Sequence, residues 1–299
     1  MEKPSSKDQH RQEVLAFLQK HISQSIFEIS LPPLGTGHET YIASGSRKSY
    51  FVKLDAAVER YRLMSDCGLS PQVIIVGNLE DGTSIMVQQY HIGRKPSLSD
   101  FHLNFKKFAH HIRDMHQNQK LQNLLPQRDS NSYRQAAKDI LNQVALRWKK
   151  YKRLVPASVD YVDEKIGILE EWISHLEGCG LVASHNDVCN ANWLVTRDER
   201  IYLLDLDSMS LDDPAMDIGA ILWWYYPPSM RQEFIANTGY ENDEDFRNRM
   251  RIRMAIHNLN IILPRKQSFD RFSPEDFEDA LVDFRAVMEG RENPQGFID

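Results

Sequence analysis

The chain has 299 residues, of which 41% are apolar and 26% charged, with a formal net charge of −6. This length buries a substantial core as one large domain or two lobes, and the composition is that of a soluble globular protein. The acidic balance lacks the basic footprint of a nucleic-acid binder, and no apolar run of about 18 residues reads as a membrane span.

Three cysteines, Cys67, Cys179 and Cys189, are too few and too irregularly spaced for a disulfide framework or a zinc site. The first ten residues carry no apolar signal-like run, so the expected location is the cytoplasm, with no membrane and no nucleic-acid partner. Nothing in the pattern specifies an oligomeric state.

The spacing predicts a helix over 10–22, with Val14, Leu15, Phe17 and Leu18 on its apolar face. Short alternating segments follow at 27–31, 40–44 and 49–54, the third ending at Lys53. Gly35-Thr36-Gly37 lies between the first two strands. It reads either as a loop whose small residues let backbone N–H groups approach a phosphate, or as a glycine-rich hairpin turn.

An amphipathic helix over 55–67 carries Glu59. A lysine closing a third strand and a glutamate on the next helix form the pair that anchors nucleotide phosphates in kinases. A solvated edge lysine and an ordinary surface glutamate are the plainer readings. Two more strands, 73–77 and 83–90, complete a five-stranded lobe. The crossing segment 88–93, with Gln89 and His91, is the expected adenine contact, made through its backbone.

From residue 98 the texture turns helical. Phe105, Phe108, Ala109, Ile112, Met115 and His116 recur at three- and four-residue steps. Residues 119–131 are polar and read as a loop, and a helix over 133–153 carries a basic tail that reads as a solvated face. Val162, Ile166, Leu169, Ile173 and Leu176 define a further core helix, ended by Gly178 and Gly180.

The chemistry concentrates in 184–219. Here the spacing His-x-Asp-x4-Asn places His185, Asp187 and Asn192, and Asp205 follows Asn192 by 13 residues. One carboxylate, Asp187, can accept a proton from an alcohol. An amide and a carboxylate, Asn192 and Asp205, offer the oxygen ligands that Mg2+ prefers. Strand alternation sets Asp207 on the side of Asp205, as a further ligand or a supporting acceptor. His185 is expected to pack and hydrogen-bond, and Asp217 either caps the apolar helix that follows or ties down the catalytic-loop backbone.

These residues, in the order H-N-D-V-C-N-A-N, L-D-L-D and D-P-A-M-D with Lys53 upstream, resemble the aminoglycoside phosphotransferase and choline kinase family. The resemblance implies an α+β, two-lobed protein-kinase-like fold. A five-stranded antiparallel nucleotide-binding lobe would occupy 1–91 and a mostly helical catalytic and acceptor-binding lobe 92–299.

It further implies an ATP- and Mg-dependent small-molecule kinase, with Asp187 as base, Asn192 and Asp205 on the metal and Lys53 on the ATP phosphates. The Asp-Leu-Asp in place of Asp-Phe-Gly, and the lack of an Ala-Pro-Glu, set the chain apart from kinases of protein substrates. The glycine loop also lacks the full G-x-G-x-x-G. A catalytically silent kinase-like binder and a metal-dependent glycosyltransferase using Asp205-Leu206-Asp207 are the competing readings.

The acceptor is expected to be a small hydroxylated, amine-bearing molecule. Trp223, Trp224, Tyr225 and Tyr226 would stack on it and Glu241, Asp243, Glu244 and Asp245 would supply negative charge. Core aromatics and a helix-dipole acid cluster are the plainer accounts of the same residues.

Overall fold

The computed structural model describes residues 6–32, 39–46 and 48–297. Gly35 and Gly37 lie outside the described residues. In chain order come helix α1 (Ser6–His21), strands β1 (Ile26–Ser30), β2 (Thr40–Gly45) and β3 (Ser49–Leu54), helix α2 (Val58–Asp66), and strands β4 (Val73–Asn78), β5 (Ser84–Gln89) and β6 (Gly93–Arg94). Helices α3 (Leu98–Leu103), α4 (Phe105–His116), α5 (Gln119–Leu124), α6 (Tyr133–Tyr151) and α7 (Val159–Ser174) follow, then strand β7 (Val182–Ser184). Strands β8 (Trp193–Thr196), β9 (Ile201–Leu203) and β10 (Ser210–Asp212) precede helices α8 (Ala215–Tyr225), α9 (Pro228–Thr238), α10 (Glu244–Ile262), α11 (Phe277–Ala280) and α12 (Val282–Met288).

The chain divides into two units. The first takes Met1–Lys95 and Asn192–Asp207, and the second Pro96–Ala191 and Ser208–Asp299. The β8–β9 hairpin therefore belongs with the first unit although it lies far along the sequence.

In the first unit the sheet order is β1-β2-β3-β5-β4, antiparallel throughout. Alternation builds its core: Tyr41, Ala43, Val52, Leu54, Ile85 and Val87 turn to one face and pack against Val14 and Leu18 of α1. Lys53 sits opposite Thr40 on one side and Met86 on the other, in the middle of the sheet. A second sheet, β6-β8-β9, needs a glycine at its edge. A Cβ on Gly93 would lie 2.5 Å from the Val195 carbonyl oxygen, so only hydrogen fits there.

In the second unit α8 is buried at every position from Ala215 to Trp223, which is why its sequence is apolar all round rather than striped. Gly219 lets α8 lie close on α10: a Cβ there would stand 3.3 Å from Met254 Cγ. Two arginines of α10 are buried, and each takes a carboxylate just before α8, Arg249 with Asp213 and Arg253 with Asp212.

The predicted loop over 119–131 contains α5. Its N-cap Asn118 accepts from Leu121 N at 3.0 Å, and Leu121 is its one buried side chain, too little for an apolar period to register. Helix α3 opens on a capping box between Ser97 and Asp100. Among the described residues no helix is long and apolar enough to cross a membrane.

Candidate active site

In the first unit the site is built around one buried ammonium. Lys53 is 5% exposed. Its Nζ donates to Tyr61 Oη at 2.9 Å, to Asp205 Oδ1 at 2.8 Å and to Asp207 Oδ2. Burial works against the Lys53 charge, yet Tyr61, Asp205 and Asp207 outweigh it and hold its pKa above the usual lysine value.

The two carboxylates differ in their surroundings. Both oxygens of Asp207 are engaged, Oδ1 by Ala57 N at 3.2 Å and Oδ2 by Lys53 and by the Tyr61 hydroxyl at 2.8 Å. Although burial opposes its ionisation, Lys53 and Tyr61 keep its pKa below the ordinary carboxylate value. Asp205 is exposed, and its φ of 55° turns the chain in the left-handed region directly after β9.

The hairpin pairs Trp193 with Leu203, and Leu204 N donates to Asn192 O at 2.7 Å. Asn192 and Asp205 thus emerge at the same end of β8 and β9.

The expected pair between Lys53 and Glu59 is absent. Glu59 is exposed and bonds Arg62, three residues on, at 2.7 Å. The reason is helix phase. Tyr61 and Met64 are the buried residues of α2, and two residues along a helix is a rotation of roughly 200°, so Glu59 faces away whenever Tyr61 faces in. Tyr61, which no sequence motif singles out, bonds Lys53 and Asp207 and also accepts from Leu206 N at 3.2 Å.

Gln89 ends β5 with its side chain exposed, and its N donates to Gln72 O at 2.9 Å. The His91 ring lies 5.0 Å from that of Tyr202, and burial lowers its pKa.

In the second unit the loop after β7 is fixed by a buried carboxylate. Asp217, fully buried, accepts from His185 N and Asn186 N, both at 2.8 Å, and lies 3.0 Å from His116 Nε2. Burial alone would raise the Asp217 pKa, but His116, His185 and these backbone donors bring it below the ordinary value.

Asn186 takes φ 65°, a region asparagine tolerates, and its Nδ2 donates to Ser210 Oγ at 2.9 Å. His185 is buried, and its Nδ1 accepts from Asp187 N at 3.3 Å. Further along, Asn190 N donates to the Tyr225 hydroxyl at 2.6 Å, and that ring stacks on Phe101 with centroids 4.1 Å apart. Asp187 itself is exposed at the end of this braced segment. His257 of α10 lies within electrostatic reach: burial pushes it down to about 4, against the Asp187 carboxylate, which acts to raise it.

His116 and His257 have no distinguishing signal in the sequence, because each sits in a helical stripe that reads as core; Tyr225, expected from the sequence to stack on the acceptor, instead braces Asn190 and stacks on Phe101. Two of the acidic residues before and within α10 serve that helix. Asp243 caps it by accepting from Phe246 N at 2.7 Å, and Asp245 pairs with Arg249 at 2.9 Å. Twelve residues of helix separate Asp245 from His257, about 18 Å. Trp223 and Tyr226 are core residues.

The family described as APH, phosphotransferase enzyme family, matches residues 33–250. The chain belongs to this family. As such it is a small-molecule phosphotransferase, an enzyme of the small-molecule kinase class.

Solved structures agree on the fold. A spectinomycin phosphotransferase in complex with ADP and spectinomycin is 18% identical, with 93% of this chain and 96% of that one covered at a TM-score of 0.62. The choline kinase LicA from Streptococcus pneumoniae is 18% identical, with coverages of 94% and 98% and a TM-score of 0.64. A choline/ethanolamine kinase family protein from Mesorhizobium loti is 17% identical, with coverages of 97% and 96% and a TM-score of 0.69. The phosphotransferase thus has the two-lobed kinase-like α+β fold.

The oxygen donors of the first unit suit a magnesium ion. Among the described residues no three His, Cys, Asp or Glu side chains form a cage. Magnesium bound through one or two carboxylates, with substrate phosphates and water completing the shell, does not need one. Asp205, exposed, would be the better-placed ligand. Asp207, with both oxygens engaged, holds Lys53 and the start of α2.

Proposed function

We propose that this phosphotransferase moves the γ-phosphoryl group of ATP to a hydroxyl of a small, amine-bearing acceptor, with magnesium as the metal. The observation that carries the reading is the buried Lys53 ammonium, bonded to an exposed Asp205 and braced by Asp207 and Tyr61. A fixed positive charge of this kind meets the phosphates of a nucleotide without reorganising. The first unit takes the nucleotide, with Lys53 on its phosphates and the backbone around Gln89 and His91 on its base, and the second takes the acceptor. Spectinomycin and choline, named for two structural neighbours, are both hydroxylated amines and are the ground for the acceptor class.

Asn192 and Asp205 would hold the magnesium ion, which neutralises phosphate charge when bound. Asp187 orients the acceptor hydroxyl and accepts its proton as the oxygen forms its bond to the γ-phosphorus and the bond from that phosphorus to the ADP oxygen breaks. Asp217, His185 and Tyr225 keep the Asp187 segment in place. The free thiols of Cys67, Cys179 and Cys189 fit a reducing compartment, and the cytoplasm also supplies the ATP.

The test is ATP consumption by the purified chain over a panel of hydroxylated amines and sugars, with magnesium present and then chelated. Acceptor-dependent ADP release that needs magnesium is the expected result. Preferential binding of UDP-sugars, or nucleotide binding without turnover on any acceptor, would count against the reading.

A second measurement addresses Tyr61. Tyr61→Phe removes a hydroxyl bonded to the Lys53 ammonium and is expected to raise the ATP KM about tenfold, the worth of one hydrogen bond to a charged group, with a smaller effect on kcat. Glu59→Gln is expected to leave both constants unchanged. A larger effect from Glu59→Gln would return the pairing role to the glutamate.

A further inference from the structure

The second unit contains a cavity of 540 Å³ walled by α8, α9, α10 and the turn after α12. Its charged lining is four arginines, Arg231, Arg247, Arg251 and Arg291, against one carboxylate, Glu292. This is an unusual concentration of positive charge in a chain of net charge −6.

Compensation within it is uneven. Arg231 reaches Glu292 at 2.6 Å, and Arg291 reaches Glu289 at 2.6 Å. Among the described residues Arg247 and Arg251 meet no carboxylate. Arg247 donates to Asn242 O at 2.5 Å. Arg251 donates to Val287 O at 3.0 Å and Met288 O at 2.6 Å, with its guanidinium 4.8 Å from the Trp172 ring.

Capping the last carbonyls of α12 accounts for the position of Arg251 and uses two of the five N–H donors a guanidinium carries. Trp223 also lines the cavity and is 8% exposed, and among the described residues its buried Nε1 has no hydrogen-bond partner.

We propose that this cavity binds a small polyanion, a compound carrying two or more carboxylate or phosphate groups. Guanidinium forks match both groups in geometry and charge, and the volume is that of a small-ligand site. None of the wall residues is Asp187, Lys53 or a member of their bonded clusters, so this site is additional to the one that carries the phosphotransferase chemistry. It stands independently of the acceptor's identity.

The test is isothermal titration calorimetry of the full chain with citrate and, separately, with pyrophosphate, at low and at physiological salt. Saturable binding of one anion per chain, weakened by salt, is the expected result, and the stronger of the two ligands distinguishes a carboxylate site from a phosphate site. Arg247→Gln is expected to weaken binding about tenfold, the loss of one charge-assisted contact, and Arg247→Gln with Arg251→Gln to abolish it.

Arg251 also caps α12, so if the double variant fails to fold, the single Arg247→Gln variant, at an exposed residue bonded only to a carbonyl, decides the question. Absence of saturable binding by either anion overturns the proposal. So does binding that is unchanged in Arg247→Gln and lost in Lys53→Met, since the anion would then occupy the nucleotide-phosphate position.

Discussion

Asp187→Asn is expected to lower kcat by about 10²–10⁴-fold, the range for removing a positioned general base, with ATP affinity unchanged. The substitution keeps size and shape and exchanges one carboxylate oxygen for a nitrogen that accepts no proton. Other groups supply four bonds that set the loop. Asp217 holds the backbone of His185 and Asn186, Asn186 Nδ2 reaches Ser210, and the Tyr225 hydroxyl takes Asn190 N. The backbone N–H of Asp187 is given to His185 Nδ1, and asparagine retains it.

The variant should therefore fold and melt like the parent, and the loss should appear in turnover alone. Steady-state kinetics at saturating acceptor, beside calorimetric titration of ATP, separates the two. An unchanged kcat would remove Asp187 from the proton transfer. A loss of ATP affinity equal to the loss of kcat would make it a binding residue.

The features legible in the sequence are those with a local signature. Alternation over 40–44, 49–54 and 83–90 marks strands because each turns one face to the α1 side of the sheet, so the five-stranded lobe can be read segment by segment. The fully apolar run after Asp217 marks a helix buried on all sides. The grouping of Lys53 with Asp205 and Asp207 is partly legible, since motif order brings them into one argument, although they are more than 150 residues apart.

The missing pieces depend on phase and partnership. Whether Glu59 or Tyr61 faces Lys53 is decided by the rotation of α2 on the sheet, which a nine-residue helix of mixed polarity does not declare. Nothing in the sequence marks Arg249 and Arg253, charged residues of a type mostly found at the surface, as buried against acids about 40 residues upstream. The acids at the start of α10 read either as acceptor contacts or, more plainly, as a helix-dipole cluster, and Asp243 and Asp245 cap and pair within that helix.

Asp217→Asn is expected to cost about 3 kcal/mol or more of folding stability, because it leaves buried donors facing a donor. The carboxylate uses Oδ1 for Asn186 N, and Oδ2 for His185 N and His116 Nε2. An asparagine carries one oxygen, so whichever way it turns, its NH₂ group meets a backbone N–H in a site without water access.

The same carboxylate sets a pH dependence, and its sign follows from the direction of the shift. Burial favours the neutral acid, the donors favour the anion, and the donors prevail, so the folded pKa lies below the unfolded one. A depressed pKa contributes stability that is present in full above the unfolded value, near pH 4, and is lost as the pH falls through the folded value. Urea unfolding between pH 7 and pH 3 should show this loss in the parent and a shallower acid slope in Asp217→Asn. The two curves should approach one another at low pH, where the parent's carboxyl is also neutral. Parallel curves would assign the acid sensitivity to other carboxylates. A variant as stable as the parent at pH 7 would mean that the His185–Asn186 backbone is held by its remaining contacts, and the bracing attributed to Asp217 would pass to Ser210 and Ser208, which also bond this loop.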